Sequence, residues 1–417
     1  MSASAETTPA ADKKVGGFTG YQKFVVAILA FLQFTIILDF MIISPLGAMV
    51  MPALSITTQQ FGWIVSVYAF SAGVSGIAAA GFADRFDRKK LLLFFYVGFI
   101  LGTLLCGVAS TFHLLLAARI VTGVFAGVIG SVVLAIATDL FPLEMRGRVM
   151  GLMQSAFAAS QIMGLPAGLF FSNLWDWHAP FVMIVVIGTV VGIIIALKLK
   201  PVDAHLHLKQ ERSPIGHLIA TLTEPRHTLA FCTTALLATG GYMLMPFGSA
   251  FTVNNLKISL DHLPTIYLIT GICTMFIGPV VGRLSDKVGK FQTFLFGTTL
   301  SVVMVLYYTR LGATPLWGVI LINVLLFVGI FSRMIPSQAL MTAIPEITKR
   351  GAFNAISSSI QQVSGGFASV LAGALVLQSL DGHLEHFERL GYVVVGASLV
   401  SLFFMSRIHR AVPERTA

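Results

Sequence analysis

Apolar stretches of about 20 residues dominate this chain and leave it few folds to choose from. They run over residues 22–49, 60–80, 90–110, 112–140, 149–173, 178–199, 227–252, 262–282, 291–310, 315–341, 352–379 and 389–408. A helix of 20 residues covers about 30 Å, the thickness of the hydrocarbon core of a bilayer. In hydrocarbon every backbone N–H and C=O must find its partner within the protein, so unbroken stretches of this length read as helices. Composition agrees, with 56% hydrophobic and only 11% charged residues and a mean hydropathy of +0.86, far from the range of soluble domains. The chain therefore reads as an all-α membrane protein with twelve transmembrane helices.

Between the second and third stretches lies a run of charge, Gly81-Phe-Ala-Asp-Arg-Phe-Asp-Arg-Lys-Lys90. A second run, Gly282-Arg-Leu-Ser-Asp-Lys-Val-Gly-Lys290, stands between the eighth and ninth. Asp84 and Asp286 are about half the chain apart, which marks an internal repeat. The spacing predicts two pseudo-symmetric halves of six helices each, residues 22–199 and 226–408. A polar connection at 200–225 joins them. Residues 1–21 read as a disordered tail and 409–417 as a short second tail.

The formal net charge of +9 raises the question of nucleic acid, and the distribution of charge answers it. With both termini on one side, only Lys257, Arg310 and Arg389 fall on the other, and Arg119 and Arg333 fall within helices. Every other Lys and Arg of the 27 then lies on the first side. This is the positive-inside pattern, so both termini are expected to be cytoplasmic, with no nucleic-acid partner. Cys106, Cys232 and Cys273 all lie within stretches and read as small buried apolar residues. His205 and His207 in the connection have no Cys or carboxylate at ligand spacing, so no metal site is expected. No Ser/His/Asp set and no phosphate loop appears, which argues against an enzyme and against ATP-driven pumping.

Ionisable groups inside a membrane are costly and mark function. Asp39 is the carboxylate well inside the first stretch. Arg119 lies in the fourth, about 10 Å from its outer end at 1.5 Å per residue, and Asp39, close before Pro45, stands at a similar depth. A pair between them is sterically open. Burial and a neighbouring cation act on a carboxyl in opposite directions, which suits such a pair to proton exchange. Arg119 snorkelling to the outer interface is the competing reading. Arg333, in the tenth stretch, lies nearer the middle, without an acidic residue in the later helices to neutralise it. Its charge suits an anionic or polyhydroxyl substrate, or Asp39 across a cavity. In the eleventh stretch Asn354, Ser358 and Gln361 share one helical face, and a polar face within a membrane should look into water or onto another helix. Tyr242 and Phe247, beside the Gly240-Gly241 and Pro246 interruption of the seventh stretch, complete the candidate cavity with Gln154 and Gln161 of the fifth.

The two charged runs resemble the cytoplasmic loop motif of the major facilitator superfamily, Gly-x-x-x-Asp-Arg/Lys-x-Gly-Arg/Lys-Arg/Lys. The second copy matches at Gly282, Asp286, Lys287 and Gly289. The first matches at Asp84, Arg85 and Arg88, with Ala80 and Asp87 in place of the glycines. The resemblance implies a pairing of Arg88 with Asp139 that latches the cytoplasmic side shut. Arg119-x-x-x-Gly123 is similar to a motif of the drug:proton antiporters of this superfamily, in which the arginine assists proton transfer. The stretch Gln154–Gly168 resembles their fifth-helix motif, with its proline displaced by one and Ser160 in place of a glycine. By this resemblance the chain would be a secondary transporter of the bacterial inner membrane, exporting a drug, sugar or metabolite by alternating access in exchange for protons. It would work as a monomer and need no cofactor beyond the proton gradient. A proton symporter or a uniporter stays open, and a polytopic membrane enzyme or receptor is the reading from another class.

Overall fold

A computed structural model describes residues 18–203, 206, 216, 220–346 and 350–411. The N-terminal tail and most of the connection, with His205 and His207, lie outside the described residues.

The chain is a bundle of twelve rods among the described residues, several of them interrupted. Helix α1 (Gly20–Ile42) starts on a capping box, Thr19 and Gln22 each bonding the other's backbone N–H, a signature of helix starts. It breaks around Pro45, and α2 (Gly47–Leu54) continues the rod. Helices α3 (Thr58–Phe82), α4 (Arg88–Cys106) and α5 (Phe112–Leu140) follow. The fifth rod is α6 (Leu143–Ala159), a π turn at Ser160–Gly164 and α7 (Leu165–Leu174). Pro166 lacks an N–H and its ring crowds the carbonyl one turn back, so the widened turn accommodates it. Helix α8 (Ala179–Lys198) closes the first half.

The second half repeats this plan. Helix α9 (Pro225–Leu244) breaks at Met245–Phe247, around Pro246, and resumes as α10 (Gly248–Asn254). Then come α11 (Leu263–Val288), α12 (Lys290–Tyr308), α13 (Leu316–Thr342), α14 (Arg350–Leu375) and α15 (Phe387–Ala411). Ten helices among the described residues are long and apolar enough to cross a membrane. The two other rods are the interrupted α6–α7 and the polar α14. The eleventh rod is shorter than its apolar stretch. It ends at Leu375, and residues 377–385 form a small antiparallel hairpin, β1 (Leu377–Gln378) with β2 (Leu384–Glu385). Asn255, just after α10, holds this hairpin through both sides of its amide, donating to Leu384 O and accepting from Leu384 N, each at 2.9 Å.

The halves meet along one face of the molecule and part toward the other. On the face opposite the charged turns a single apolar core contains Leu38, Phe61 and Phe181 of the first half with Phe247, Phe251 and Ala372 of the second. Toward the charged turns there are two separate cores, one within 25–199 and one within 230–408. Small residues let helices approach closely in a bilayer, where packing and hydrogen bonds replace the hydrophobic effect. A Cβ at Gly62 of α3 would sit 2.8 Å from Ser369 O of α14. Beside it Thr58 Oγ1 donates to Val376 O at 2.6 Å, and Ser249 Oγ donates to Ser44 O at 3.0 Å. Gly271 of α11 rests on the backbone of Gln161 and Ile162. Further toward the charged turns, Gly147 and Gly151 of α6 and Gly278 and Gly282 of α11 border open space. The halves are thus sealed together on one face and, on the other, open between α6 and α11, while α3 and α14 stay packed as far as Gly73 and Gly76.

The two charged turns differ in backbone for a physical reason. Gly289 ends α11 at φ 110°, ψ 143°, and a Cβ there would run into Gln292. Asp87 has φ −56° and caps α4 through a bond from Lys89 N at 2.7 Å. It also accepts from Val202 N at 3.2 Å, while Arg88 N donates to Val202 O at 3.0 Å. The aspartate that departs from the motif thus caps a helix and ties down the start of the connection. Gly289→Ala is expected to cost about 1–3 kcal/mol, the strain of a conformation essentially reserved for glycine. Its thermal unfolding midpoint in detergent should fall accordingly.

Candidate functional site

Two charged groups of the first half are brought together in complete burial. Arg119 on α5 and Asp39 on α1 are each 0% exposed, with Nη1 3.1 Å from Oδ2. The guanidinium also donates to Asp39 O at 3.0 Å and Phe40 O at 3.3 Å. These carbonyls are free to accept because α1 ends here, at the break before Pro45. Thr103 of α4 donates to the other carboxylate oxygen, Oδ1, at 3.0 Å. Tyr68 of α3 covers the guanidinium, its ring centroid 4.3 Å from Cζ, a stacking geometry that suits arginine. Four helices of one half thus converge on one neutral ion pair. Arg119 is not snorkelling; its charge is turned inward onto the end of α1.

The pair is linked by aromatic contact to the other half. Phe40 packs on Tyr68 at 5.3 Å and on Tyr242 of α9 at 5.7 Å between centroids. Tyr242 in turn donates from its hydroxyl to Gln362 Oε1 of α14 at 2.7 Å, and its carbonyl accepts from Ser369 Oγ. Asp39 and Phe40 are adjacent, and Arg119 holds both carbonyls. The ion pair is thus held on the same segment that touches the second half.

The fold has counterparts among known proteins. Residues 29–369 and 229–416 match the profile of the Major Facilitator Superfamily. The chain belongs to that superfamily. The uncharacterized MFS-type transporter YceJ of Bacillus subtilis (strain 168) is 25% identical over 377 residues, 90% of this chain and 92% of that one. Multidrug resistance protein 3 of the same organism is 30% identical over 131 residues, 31% of this chain and 25% of its own length. The nucleoside transporter NupG superimposes with a TM-score of 0.74 at 13% identity, covering 92% of this chain and 99% of NupG. A bacterial homolog of the human lysosomal transporter Spinster, in its inward-facing and unoccupied conformation, gives 0.68 at 16%, covering 94% and 96%. At such identities the structures speak for the fold alone. The superfamily makes the protein a transporter of small molecules within the membrane, and not an enzyme.

In this superfamily member the remaining candidates fall into separate places. Asn354, Ser358 and Gln361 line an exposed face of α14 on the open side. Gln161 is half-buried where α11 crosses the π turn, and the side chain of Gln154 lies outside the described residues. Phe247 is fully buried against Phe61, 5.9 Å between centroids, in the sealed face, so it packs the halves together in this state. Arg333 lies within the second half, 7% exposed, with Nη2 donating to Ser401 Oγ of α15 at 3.3 Å and Cζ 6.0 Å from the Phe294 ring of α12. It does not meet Asp39, whose oxygens are taken by Arg119 and Thr103.

At the charged turn of the first half, Arg88 is buried and bridges two carboxylates, donating from Nη2 to Asp84 and from Nε to Asp139 at 3.2 Å. Arg85 is exposed. In the second half Gly282 borders open space, Lys287 is exposed and Asp286 stands 4.0 Å from Lys290 in solvent, a pair worth little. Cys106 is buried, but Cys232 is exposed on α9 and Cys273 intermediate, so the expectation of three buried cysteines holds for one. Thr103, Phe40 and Ser401 were missed from sequence. Thr103 alone carried a signal, as the one Ser or Thr of an apolar helix.

Proposed function

We propose that this transporter exports a small molecule in exchange for protons, with Asp39 as the proton-carrying group and Arg119 as its partner. The carrying observation is the fully buried pair in which Arg119 also holds the carbonyls of Asp39 and Phe40. A proton on Asp39 removes the carboxylate charge and weakens its hold on Arg119. The end of α1 is then released, and Phe40 passes the change to Tyr242 and so to α14. Substrate and proton use this one switch in alternation, each permitting the passage between the two openings. The distribution of Lys and Arg supports a cytoplasmic location for both termini and the charged turns, so the open face is the cytoplasmic one. There Arg88 with Asp84 and Asp139 forms the first half's share of the latch, which engages the second half when that side closes. The protein works as a monomer of the bacterial inner membrane without a cofactor, on drugs, sugars or metabolites, with the exposed face of α14, Tyr242 and Gln161 in the cavity.

The test is proton flux in proteoliposomes on addition of cationic drugs, sugars and organic acids, with wild type beside Asp39→Asn. One solute class should drive proton movement in the wild type only. Equal solute movement in both proteins without protons would make this a uniporter.

A further inference from the structure

We propose that Arg333 is the binding group for a carboxylate on the substrate, which makes the transported molecule a small organic monoanion. The inference rests on the transport reading above, whose substrate it narrows. Two of the buried arginines lie well inside their helices, Arg119 and Arg333, and their charge partners differ. Arg119 has a carboxylate, two carbonyls and an aromatic face. Arg333 has one hydroxyl, Ser401, at 3.3 Å, and lies over the ring of Phe294 with its centroid 6.0 Å from Cζ. Its Nε is buried without a partner among the described residues, as is Nε of Arg119, but no Asp or Glu there pairs with Arg333. Its Nη1 reaches toward α9 and lies 3.8 Å from where a Cβ on Gly240 would stand.

Gly240 and Gly241 leave that stretch of α9 without side chains, and Gly241 is exposed and borders open space. Arg333 thus points across from α13 toward a bare helix surface. The other wall is apolar, with Val394 of α15 beside Gly240. A buried cation without a counter-charge is costly, and a ligand carboxylate entering past the bare surface at Gly241 would supply that counter-charge. One guanidinium supplies one positive charge, because the pair in the first half is already neutral. That balance fits a monocarboxylate with an apolar body better than a cation, which would meet uncompensated positive charge. The same pair denies a cationic substrate the carboxylate of Asp39.

The experiment uses purified full-length protein and one aromatic skeleton carrying three groups: 2-naphthoate, 2-naphthylmethylamine and 2-naphthalenemethanol. Acetate, benzoate and decanoate extend the carboxylate series. Thermal unfolding is followed against ligand concentration for wild type, Arg333→Met, Arg333→Lys and the exposed control Arg85→Met. A saturable upward shift is expected from at least one carboxylate in wild type and Arg85→Met. It should weaken by tenfold or more in apparent affinity in Arg333→Lys and vanish in Arg333→Met. Without ligand, Arg333→Met should melt no lower than wild type, since it removes an unpaired charge. A shift from the amine, a carboxylate shift unchanged in Arg333→Met, or no shift from any carboxylate overturns the proposal. Counterflow with the same probes separates the two claims. Amine counterflow coupled to protons keeps the exporter and removes the carboxylate site. Carboxylate binding dependent on Arg333 without counterflow keeps the site and removes transport of that class.

Discussion

Arg119→Met should be the most damaging single substitution in this protein. It leaves the carboxylate of Asp39 in complete burial with Thr103 as its one remaining partner. Breaking a buried pair from one side costs about 3–5 kcal/mol, because the other charge stays desolvated. It also frees the carbonyls of Asp39 and Phe40 and uncovers the face of Tyr68. Thermal unfolding in detergent should show a large drop, with a loss of monodisperse protein. The companion variant Asp39→Asn with Arg119→Met should recover much of that loss, since no buried charge remains. A non-additivity of this sign is the signature of a coupled pair. An Arg119→Met protein as stable as wild type would mean that the pair contributes nothing to the fold.

Asp39→Asn leaves Arg119 buried without its counter-charge, a destabilisation expected to be smaller than that of Arg119→Met, and its larger effect should be on function. Asparagine keeps the shape and an acceptor for Thr103 or Arg119, and Arg119 keeps its two carbonyls and the Tyr68 face. The variant cannot take up and release a proton. Gradient-driven transport is therefore expected to fall to the level of empty liposomes, while exchange of labelled for unlabelled solute across the same membrane persists. Loss of both activities would point to a structural role for Asp39, and retention of both would leave it outside coupling.

The parts legible in the sequence are those set by composition and period. The apolar lengths determined the rods, and the spacing of Asp84 and Asp286 determined the two halves. Pro45, Pro166 and Pro246 stand at the breaks of three rods. Asp39 and Arg119 were legible as a pair because charge in hydrocarbon is rare and both lie at one depth. Direction was not legible. Arg333 has its depth written in the chain, but only packing turns it toward Ser401 and Gly240 and away from Asp39. Phe40 is one of many apolar residues on α1, and no pattern marks it as the contact to Tyr242. The role of Asp87 was hidden because the motif expects glycine there. The glycine is needed where φ is positive, as at Gly289, and the first turn has no such residue.

The central claim is that protonation of Asp39 governs which face of the protein is open. Spin labels at Gly147 of α6 and Arg283 of α11, both exposed on the open face, report that directly. The label distance would be measured by double electron–electron resonance in nanodiscs, in a background with Cys106, Cys232 and Cys273 replaced. Two distance populations are expected in the wild type, with a ratio that changes between acid and alkaline buffer. In Asp39→Asn the ratio should be the same at both pH values. A pH response in Asp39→Asn equal to that of wild type would contradict the account and place the proton-sensing group elsewhere.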